Sequence, residues 1–173
     1  MQIRNAEDAD LAEIQAIYAY HVLHGTGSFE EEPPSIEEIA ERYRHVVDRG
    51  WVWLVASDAS GVLGFAYYAQ FHDRSAYRFT AEDSVYIRED VRGQGVGKAL
   101  VMKLIEAATE RGFRTMIAVI GDSENVGSVG VHASLGFQTV GTLRHAGLKF
   151  GRWLDVVQMQ RPLGAGDTDV PPC

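Results

Sequence analysis

The sequence contains very little cysteine, which excludes several kinds of site. Its 173 residues include one cysteine, Cys173, at the last position. An internal disulfide therefore cannot form, and a frayed chain end is a poor place for a catalytic thiol. The six histidines lack the spacing of a metal motif such as His-Glu-x-x-His. We therefore expect no metal site.

Long apolar runs and excess positive charge are also missing. The first eight residues lack the apolar stretch of a signal peptide, and no run approaches the length of a membrane span. The formal net charge of −8 argues against binding to a nucleic-acid backbone. The length fits one domain with a sizeable core. We expect a cytoplasmic protein that contacts neither nucleic acid nor a membrane.

The apolar periodicity predicts eleven elements in the order β-α-α-β-β-β-α-β-α-β-β. This order favours a mixed α/β sheet with helices on both faces. We expect one domain over residues 1–162 and a polar, flexible tail over residues 163–173. The predicted strands span residues 2–5, 51–56, 62–71, 82–88, 115–120, 137–143 and 153–160, with a loop at 145–151, and the predicted helices end near residues 24, 48, 111 and 135.

A glycine-rich segment precedes the third predicted helix. Residues 92–98 read Arg-Gly-Gln-Gly-Val-Gly-Lys. A glycine turn that opens a helix presents unpaired backbone N–H groups at the positive end of the helix dipole, which favours an anion such as phosphate. Lys98 replaces the third glycine of a dinucleotide fingerprint, and Arg92 replaces the first glycine of a P-loop. Simple helix capping by a glycine turn stays open as an alternative.

A second motif runs from Asn125 to Phe137 and reads Asn-Val-Gly-Ser at its start and Gly-Phe at its end. Asn and Ser cap helices well, so capping alone explains this motif in isolation. The pair of motifs is more specific. Arg-Gly-x-Gly-x-Gly resembles the pyrophosphate loop of the GNAT N-acetyltransferases, and the Asn125–Phe137 segment resembles the second block of that family.

Further segments resemble one branch of the GNAT family, the phosphinothricin and methionine sulfoximine acetyltransferases. They are Thr26–Glu30, Thr80–Ile87, Lys149–Asp155 and the residues Phe71, Arg74, Ala76 and Tyr77. The resemblance covers roughly residues 3–161. It implies a GNAT fold, with a mixed and mostly antiparallel central sheet flanked by helices. It also implies acetyl-CoA as co-substrate and a homodimer.

The resemblance implies acetyl transfer to the amino group of a small amino acid analogue, of the phosphinothricin, methionine sulfoximine or methionine sulfone type. Two alternatives stay open. One is another amine, such as a protein N-terminus or an aminoglycoside. The other is a CoA-binding module without chemistry.

Glu82 is the expected general base, because it precedes the strand that resembles the cofactor-binding strand. Asp83 is the competing carboxylate, and strand alternation places it on the opposite face. His132 is expected to assist proton transfer or thiolate release, although a purely structural role is the alternative. Many GNAT enzymes have tyrosine at this position, whereas histidine is usual in the branch.

The remaining site residues follow from the resemblance. Acetyl-CoA is expected to contact Val85, Tyr86, Ile87, Arg92, Gly93, Gln94, Gly95, Val96, Gly97, Lys98, Asn125 and Ser128. The small-molecule amine is expected to contact Phe29, Phe71, Arg74, Tyr77, Arg78, Glu82, Asp83, Ser84 and Lys149.

Overall fold

One seven-stranded sheet organises the computed structural model, which describes residues 1–171. The strands lie in the spatial order β1-β2-β3-β4-β5-β7-β6. Only β4 and β5 are parallel, and every other neighbouring pair is antiparallel. The expected mixed, mostly antiparallel sheet is therefore confirmed. The strands are β1 (Gln2–Asn5), β2 (Trp53–Asp58), β3 (Gly61–Gln70), β4 (Thr80–Ile87), β5 (Thr115–Gly121), β6 (Gln138–Lys149) and β7 (Arg152–Pro162).

Four α-helices cover the two faces of the sheet, in the predicted order. They are α1 (Leu11–His24), α2 (Ile36–Val47), α3 (Val96–Glu110) and α4 (Val126–Ser134). Helices α1 and α2 pack on one face, around Trp53 and Phe65. Helix α3 packs on the other face, where Leu100 and Leu104 meet Met116 of β5. Each face thus has its own buried apolar cluster, as expected for helices that cover a sheet on both sides.

The predicted capping box at the start of α2 is present. The backbone N–H of Glu38 donates to the Ser35 hydroxyl at 3.2 Å, and the Ser35 N–H donates to the Glu38 carboxylate at 2.7 Å. These reciprocal bonds satisfy two amides that the helix itself cannot pair. Helix α1 begins differently, because Asp10 accepts from the N–H of Glu7 at 2.8 Å and forms an ion pair with Arg4.

The predicted loop at residues 145–151 is wrong, because β6 continues to Lys149. Its pairing with β7 is irregular between Leu143 and Gly147. His145 adopts a positive φ of 54° at this irregularity, and its N–H donates to the Asp155 carboxylate at 3.0 Å. A bulge therefore absorbs the break in alternation without ending the strand.

Strands β4 and β5 pair over only half of the length of β4. Their register runs from Thr80 opposite Thr115 to Asp83 opposite Ala118. Beyond this point β4 stays paired with β3, and β5 stays paired with β7. The two central strands therefore part and leave a gap within the sheet.

Backbone groups along β4 point alternately toward β3 and toward the gap. Thr80 accepts from the N–H of Phe71, and Arg88 donates to Leu63, so even-numbered positions of β4 bond to β3. Because neighbouring residues alternate in direction, the N–H and C=O groups of Val85 and Ile87 point toward the gap.

The chain leaves the sheet after β7. Leu163 is 1% exposed and packs in the core, and most of residues 164–170 lie at the surface. The domain limits and the flexibility of the tail stay predictions, and Cys173 lies outside the described residues. Among the helices within residues 1–171, none is long and apolar enough to cross a membrane.

Candidate active site

The gap between β4 and β5 is enclosed by elements from both faces of the sheet. On the α1 face, the ring of Tyr18 meets Tyr86 edge-on at 4.8 Å, and His21 bonds to the carbonyl of Ile87 at 2.9 Å. On the α3 face, Gly97 packs against Ile87. A cavity of about 380 Å³ opens on the α1 face. It is lined by Gly27, Ser28, Phe29, Glu30, Tyr86, Val119, Gly121 and Val156.

Gly93 and Gly95 in the loop before α3 have a different role from Gly97 in the first turn of that helix. Gly93 and Gly95 adopt positive φ values of 75° and 83°, a conformation that side chains disfavour. A Cβ at either position would meet nothing within 4 Å, so the space beside both residues is open. At Gly97 a Cβ would meet the Ile87 side chain at 3.5 Å, an ordinary contact distance, so the first turn of α3 lies directly beside the end of β4.

The start of α3 forms an anion cradle. Its N-cap is Gly95, which offers no side-chain cap, and the first helical bond runs from Ala99 N–H to the Gly95 carbonyl at 3.0 Å. The amides of Val96, Gly97 and Lys98 precede that bond and lie at the positive end of the helix dipole. Lys98 is exposed, as are the loop residues Arg92 and Gln94. Open space, free amides and two cations fit the pyrophosphate of acetyl-CoA.

Glu82 lies on β4, two residues before the central strands begin to part. Even-numbered β4 side chains share the α1 face, where Tyr86 packs in the buried cluster. Burial and the neighbouring charge of Asp83 raise the pKa of Glu82 from an ordinary 4.5 to about 7. A carboxyl group with this pKa is suited to accept a proton from an amine near neutral pH. Ser84 shares this face and pairs in register with Tyr67 of β3.

Asp83 and His132 form a buried pair on the α3 face of the sheet. The His132 Nε2 lies 2.9 Å from the Asp83 Oδ2, and both side chains are at most 2% exposed. Burial would lower the pKa of His132, but the hydrogen bond and charge of Asp83 and the Ser128 carbonyl raise it overall. The Asp83 carboxylate faces α4 whereas the cavity lies on the α1 face, and its expected contact with the substrate stays a prediction.

Lys149 is another expected substrate residue that the structure places elsewhere. It is 2% exposed, and its Nζ donates to the carbonyls of Gly25 at 3.0 Å and Ser28 at 2.7 Å. Burial lowers the pKa of Lys149. Its ammonium group thus fixes the loop after α1, and a contact of Lys149 with the amine stays a prediction.

Phe29 does line the cavity, because two glycines make room for its ring. A Cβ on Gly147 of β6 would lie 2.3 Å from the ring, and one on Gly121 of β5 would lie 2.9 Å from it. Any larger residue at either position would displace Phe29. The resemblance of Thr26–Glu30 to a substrate loop is therefore matched by its place beside the cavity.

Sequence reasoning missed the residues that fix this loop and the strand beside it. The Tyr18 hydroxyl donates to Glu30 at 2.8 Å, and Arg42 binds the same carboxylate through two nitrogens at 2.8 and 3.2 Å. His21, whose pKa burial lowers, bonds to the Ile87 carbonyl. The partners in these contacts are 12 or 66 positions apart in the sequence, so no local pattern indicates the contacts. The sequence offered one signal, which was the position of Glu30 within the segment Thr26–Glu30.

The predicted contact strand Val85–Ile87 divides into two types of residue. Val85 and Ile87 direct backbone groups toward the gap, whereas the backbone of Tyr86 pairs with Phe65. Tyr86 contributes instead through its ring, which packs against Tyr18, His21 and Phe65 and lines the cavity.

The hairpin between β3 and β4 carries four more expected substrate residues. The rings of Phe71 and Tyr77 pack together at 5.7 Å, whereas Arg74 and Arg78 are exposed. The guanidinium of Arg78 lies over the ring of Phe79 and donates to the Ser75 carbonyl. None of the four lines the cavity, so their contact with the amine stays a prediction.

Asn125 caps helix α4, which is the structural role that the sequence allowed as an alternative to cofactor binding. Its side-chain oxygen accepts from the N–H of Ser128 at 3.3 Å. Both residues lie just after the end of β5 and thus beside the gap, and their contact with acetyl-CoA stays a prediction. Within residues 1–171, no group of three or more His, Cys, Asp or Glu side chains is arranged to hold a metal ion.

The anion cradle predicts a specific effect of Gly95→Ala, with Gly112→Ala as a matched control. Both glycines have a positive φ and open space for a Cβ, and they flank opposite ends of α3. We expect each variant to lose about 1–2 kcal/mol of stability from backbone strain. Only Gly95→Ala should weaken acetyl-CoA binding, at least tenfold by calorimetry. Equal affinities of the two variants would contradict the cradle.

Known proteins similar to this chain agree with the geometry. Residues 3–158 match the family described as "Acetyltransferase (GNAT) domain". A phosphinothricin N-acetyltransferase of Alcaligenes faecalis is 51% identical over 169 residues, which cover 98% of this chain and 86% of that protein. An L-methionine sulfoximine/L-methionine sulfone acetyltransferase of Pseudomonas aeruginosa is 42% identical, with 91% of this chain and 92% of that protein covered.

A solved structure is similar over almost the whole chain. It is a phosphinothricin acetyltransferase of Sinorhizobium meliloti in complex with acetyl-CoA, with a TM-score of 0.96 and 44% identity. The match covers 99% of this chain and 92% of that one. The fold, the glycine cradle and these similarities together show that the chain belongs to the GNAT acetyltransferase family, as an acetyl-CoA-dependent N-acetyltransferase.

Proposed function

We propose that this protein transfers the acetyl group of acetyl-CoA to the amino group of a small amino acid analogue. The analogue is of the phosphinothricin, methionine sulfoximine or methionine sulfone type. The observation that carries this proposal is Glu82, a carboxylate with a pKa of about 7 on the strand that borders the gap and the cavity. The named activities of the relatives that are 51% and 42% identical support the same class of substrate.

The reaction requires the amine to lose a proton before its nitrogen can attack. An amino group is mostly protonated near neutral pH, so Glu82 accepts this proton, directly or through one water molecule. The nitrogen then forms a bond to the acetyl carbon, the bond from that carbon to sulfur breaks, and the departing thiolate takes up a proton. The acylated nitrogen loses its second proton to solvent, so the products are the N-acetyl compound and free CoA. Acetyl-CoA, when bound, supplies the reactive thioester.

Backbone groups of β4 position the reactants. Val85 and Ile87 can pair with the amides of the pantetheine arm in the way that an added strand would. The N–H of Val85 also points toward the gap, where it can stabilise negative charge that develops on the acetyl oxygen. His132 holds a proton on the other side of β4 and is the proposed donor to the departing thiolate.

The size of the cavity favours a small amine over the alternatives. A volume of about 380 Å³ is at the low end of ligand pockets and suits an amino acid better than an aminoglycoside. The raised pKa of Glu82, on the same face of β4 as the cavity residue Tyr86, argues for chemistry and against a module that only binds CoA.

A substrate panel tests the proposed activity. The protein is incubated with acetyl-CoA and, separately, phosphinothricin, methionine sulfoximine, methionine sulfone, an aminoglycoside and a peptide with a free N-terminus. We expect thiol release with the first three compounds. Release only with the aminoglycoside or the peptide would overturn the substrate class. CoA binding without release from any amine would favour the binding module.

Glu82→Gln tests the base. In the wild-type protein kcat/KM should rise as pH passes through about 7, because the carboxylate must be unprotonated. Glu82→Gln should lose this acid limb and about 100-fold or more in kcat, with little change in the KM for acetyl-CoA. Retention of wild-type turnover would exclude Glu82 as the base.

The stability of the same variant provides an independent check. The folded state holds the Glu82 proton more tightly than the unfolded chain, because the pKa rises from 4.5 to about 7 on folding. The stabilising contribution of Glu82 is therefore complete below pH 4.5 and is lost as pH rises through 7. Relative to Glu82→Gln, the wild-type free energy of unfolding should fall over this range.

We also propose that two copies associate through β6 and β7. Strand β6 lies at the edge of the sheet, and this surface exposes five large apolar side chains. They are Val140, Leu143, Leu148, Phe150 and Trp153. Such an exposed patch on an unpaired edge is typical of an interface.

The expected cytoplasmic location stays a prediction.

Trp153→Glu tests this association. Trp153 is 62% exposed, and a charge in an apolar interface disfavours association. We expect a dimer for the wild-type protein by light scattering and a monomer for Trp153→Glu. Met102→Glu alters an apolar residue of similar exposure, 44%, on α3 and should leave the dimer intact. A monomeric wild-type protein would refute the proposal.

A further inference from the structure

The buried pair of Asp83 and His132 has a hydrogen-bonding pattern that fixes the number of its protons. The His132 Nδ1 lies 2.8 Å from the Ser128 carbonyl oxygen, and the Nε2 lies 2.9 Å from the Asp83 Oδ2. A carbonyl oxygen only accepts, so Nδ1 carries a hydrogen and donates it. The Nε2 then shares one further proton with the carboxylate. Because the ring is 2% exposed, solvent cannot supply alternative partners.

Asp83 occupies a special position in the sheet. It is the last residue of β4 that pairs with β5, opposite Ala118, so its side chain lies where the two strands part. One of its carboxylate oxygens, Oδ1, is buried without a hydrogen-bond partner. A buried carboxylate oxygen without a partner is retained at a cost to stability. The adjacent residue of the same strand is Glu82.

We propose that Asp83 is a positioning residue for the reaction: it holds the ring of His132 in place and in its doubly protonated form, and it is the neighbour of Glu82 on the opposite face of β4. This inference rests on the proposed function, because it assumes that Glu82 is the base. Asp83 touches neither reactant. It acts through His132 on the α3 face of β4 and through Glu82 on the α1 face.

The charge of Asp83 is the main one that acts on Glu82. The pKa of Glu82 is raised first by burial and second by Asp83. From β3, Tyr67 faces Glu82, and burial raises the pKa of Tyr67, so this phenol stays neutral at neutral pH. Burial also raises the pKa of Tyr86 on β4 itself. From the loop after α1, Glu30 is already paired with Arg42.

One arrangement therefore serves two needs of the reaction. The thiolate requires a proton donor. An imidazolium is stabilised when both of its N–H groups donate to acceptors, so it retains the proton that the thiolate needs. The amine requires a base with a pKa near that of the medium. A single carboxylate between the two groups favours the protonated histidine and disfavours early ionisation of Glu82.

The pH profile of Asp83→Asn tests this role. The variant keeps the shape of the side chain but removes its charge. We expect the acid limb of kcat/KM to move to lower pH by up to about one unit. The high-pH plateau of kcat should fall several-fold, because Glu82 becomes a weaker base and His132 loses its proton. The KM for acetyl-CoA should change little. Glu106→Gln removes an exposed carboxylate of α3 and should leave the profile unchanged.

The outcome with Glu82→Gln separates the two proposals. If Glu82→Gln keeps the acid limb, the proposed base is wrong. If Glu82→Gln removes the limb but Asp83→Asn does not shift it, only the role of Asp83 is refuted.

A measurement on the wild-type protein covers the case in which Asp83→Asn fails to fold. With ¹⁵N-labelled histidine, nuclear magnetic resonance detects whether each ring nitrogen carries a hydrogen. We expect both nitrogens of His132 to be protonated near neutral pH. An unprotonated Nε2 at that pH would overturn the proposal.

Discussion

The early end of the pairing between β4 and β5 is the constraint on which the rest of the site depends. Four residues on each strand are paired, and the ladder then stops at Asp83 and Ala118. The strands beyond this point are still held by β3 and β7, so the gap is supported on both sides. A sheet that parted without such outer support would leave two unstable edges. The reacting groups, the anion cradle and the cavity all adjoin this opening.

The α1 face and the α3 face have different roles around the gap. On the α3 face, the glycine loop offers free backbone amides to an anion, and the His132–Asp83 pair shares a proton. On the α1 face the cavity is mainly lined by a loop that Lys149, Tyr18 and Arg42 fix in place. The α3 face thus offers mainly backbone groups beside the gap, whereas the α1 face offers side chains of a loop.

Motifs in the sequence predicted the parts of this arrangement that depend on neighbouring residues. The glycines of residues 93–97, the capping box at Ser35 and the order of elements are local features, and local patterns specify them. The same reasoning correctly placed Glu82 and Asp83 on opposite faces, because alternation along a strand is also local.

The features that the sequence did not predict come from long-range contacts. Lys149 bonds to carbonyls more than 120 positions away, and its contact with the amine stays a prediction. The bulge in β6 depends on Asp155, a residue of the opposing strand, so residues 145–151 alone resembled a loop. Such contacts depend on the register between strands, which a single sequence does not specify at an irregular position.

The contact of Lys149 has a consequence for the synthesis of the protein. The loop at Gly25–Ser28 emerges early from the ribosome, whereas the side chain that fixes it comes 124 residues after Gly25. Closing a loop of this length costs conformational entropy, and the chain loses this entropy before the contact can stabilise it. This contact therefore forms only after β6 has been synthesised. Before that point the loop depends on residues nearer in the sequence, Tyr18 and Arg42, whose contacts with Glu30 span 12 positions.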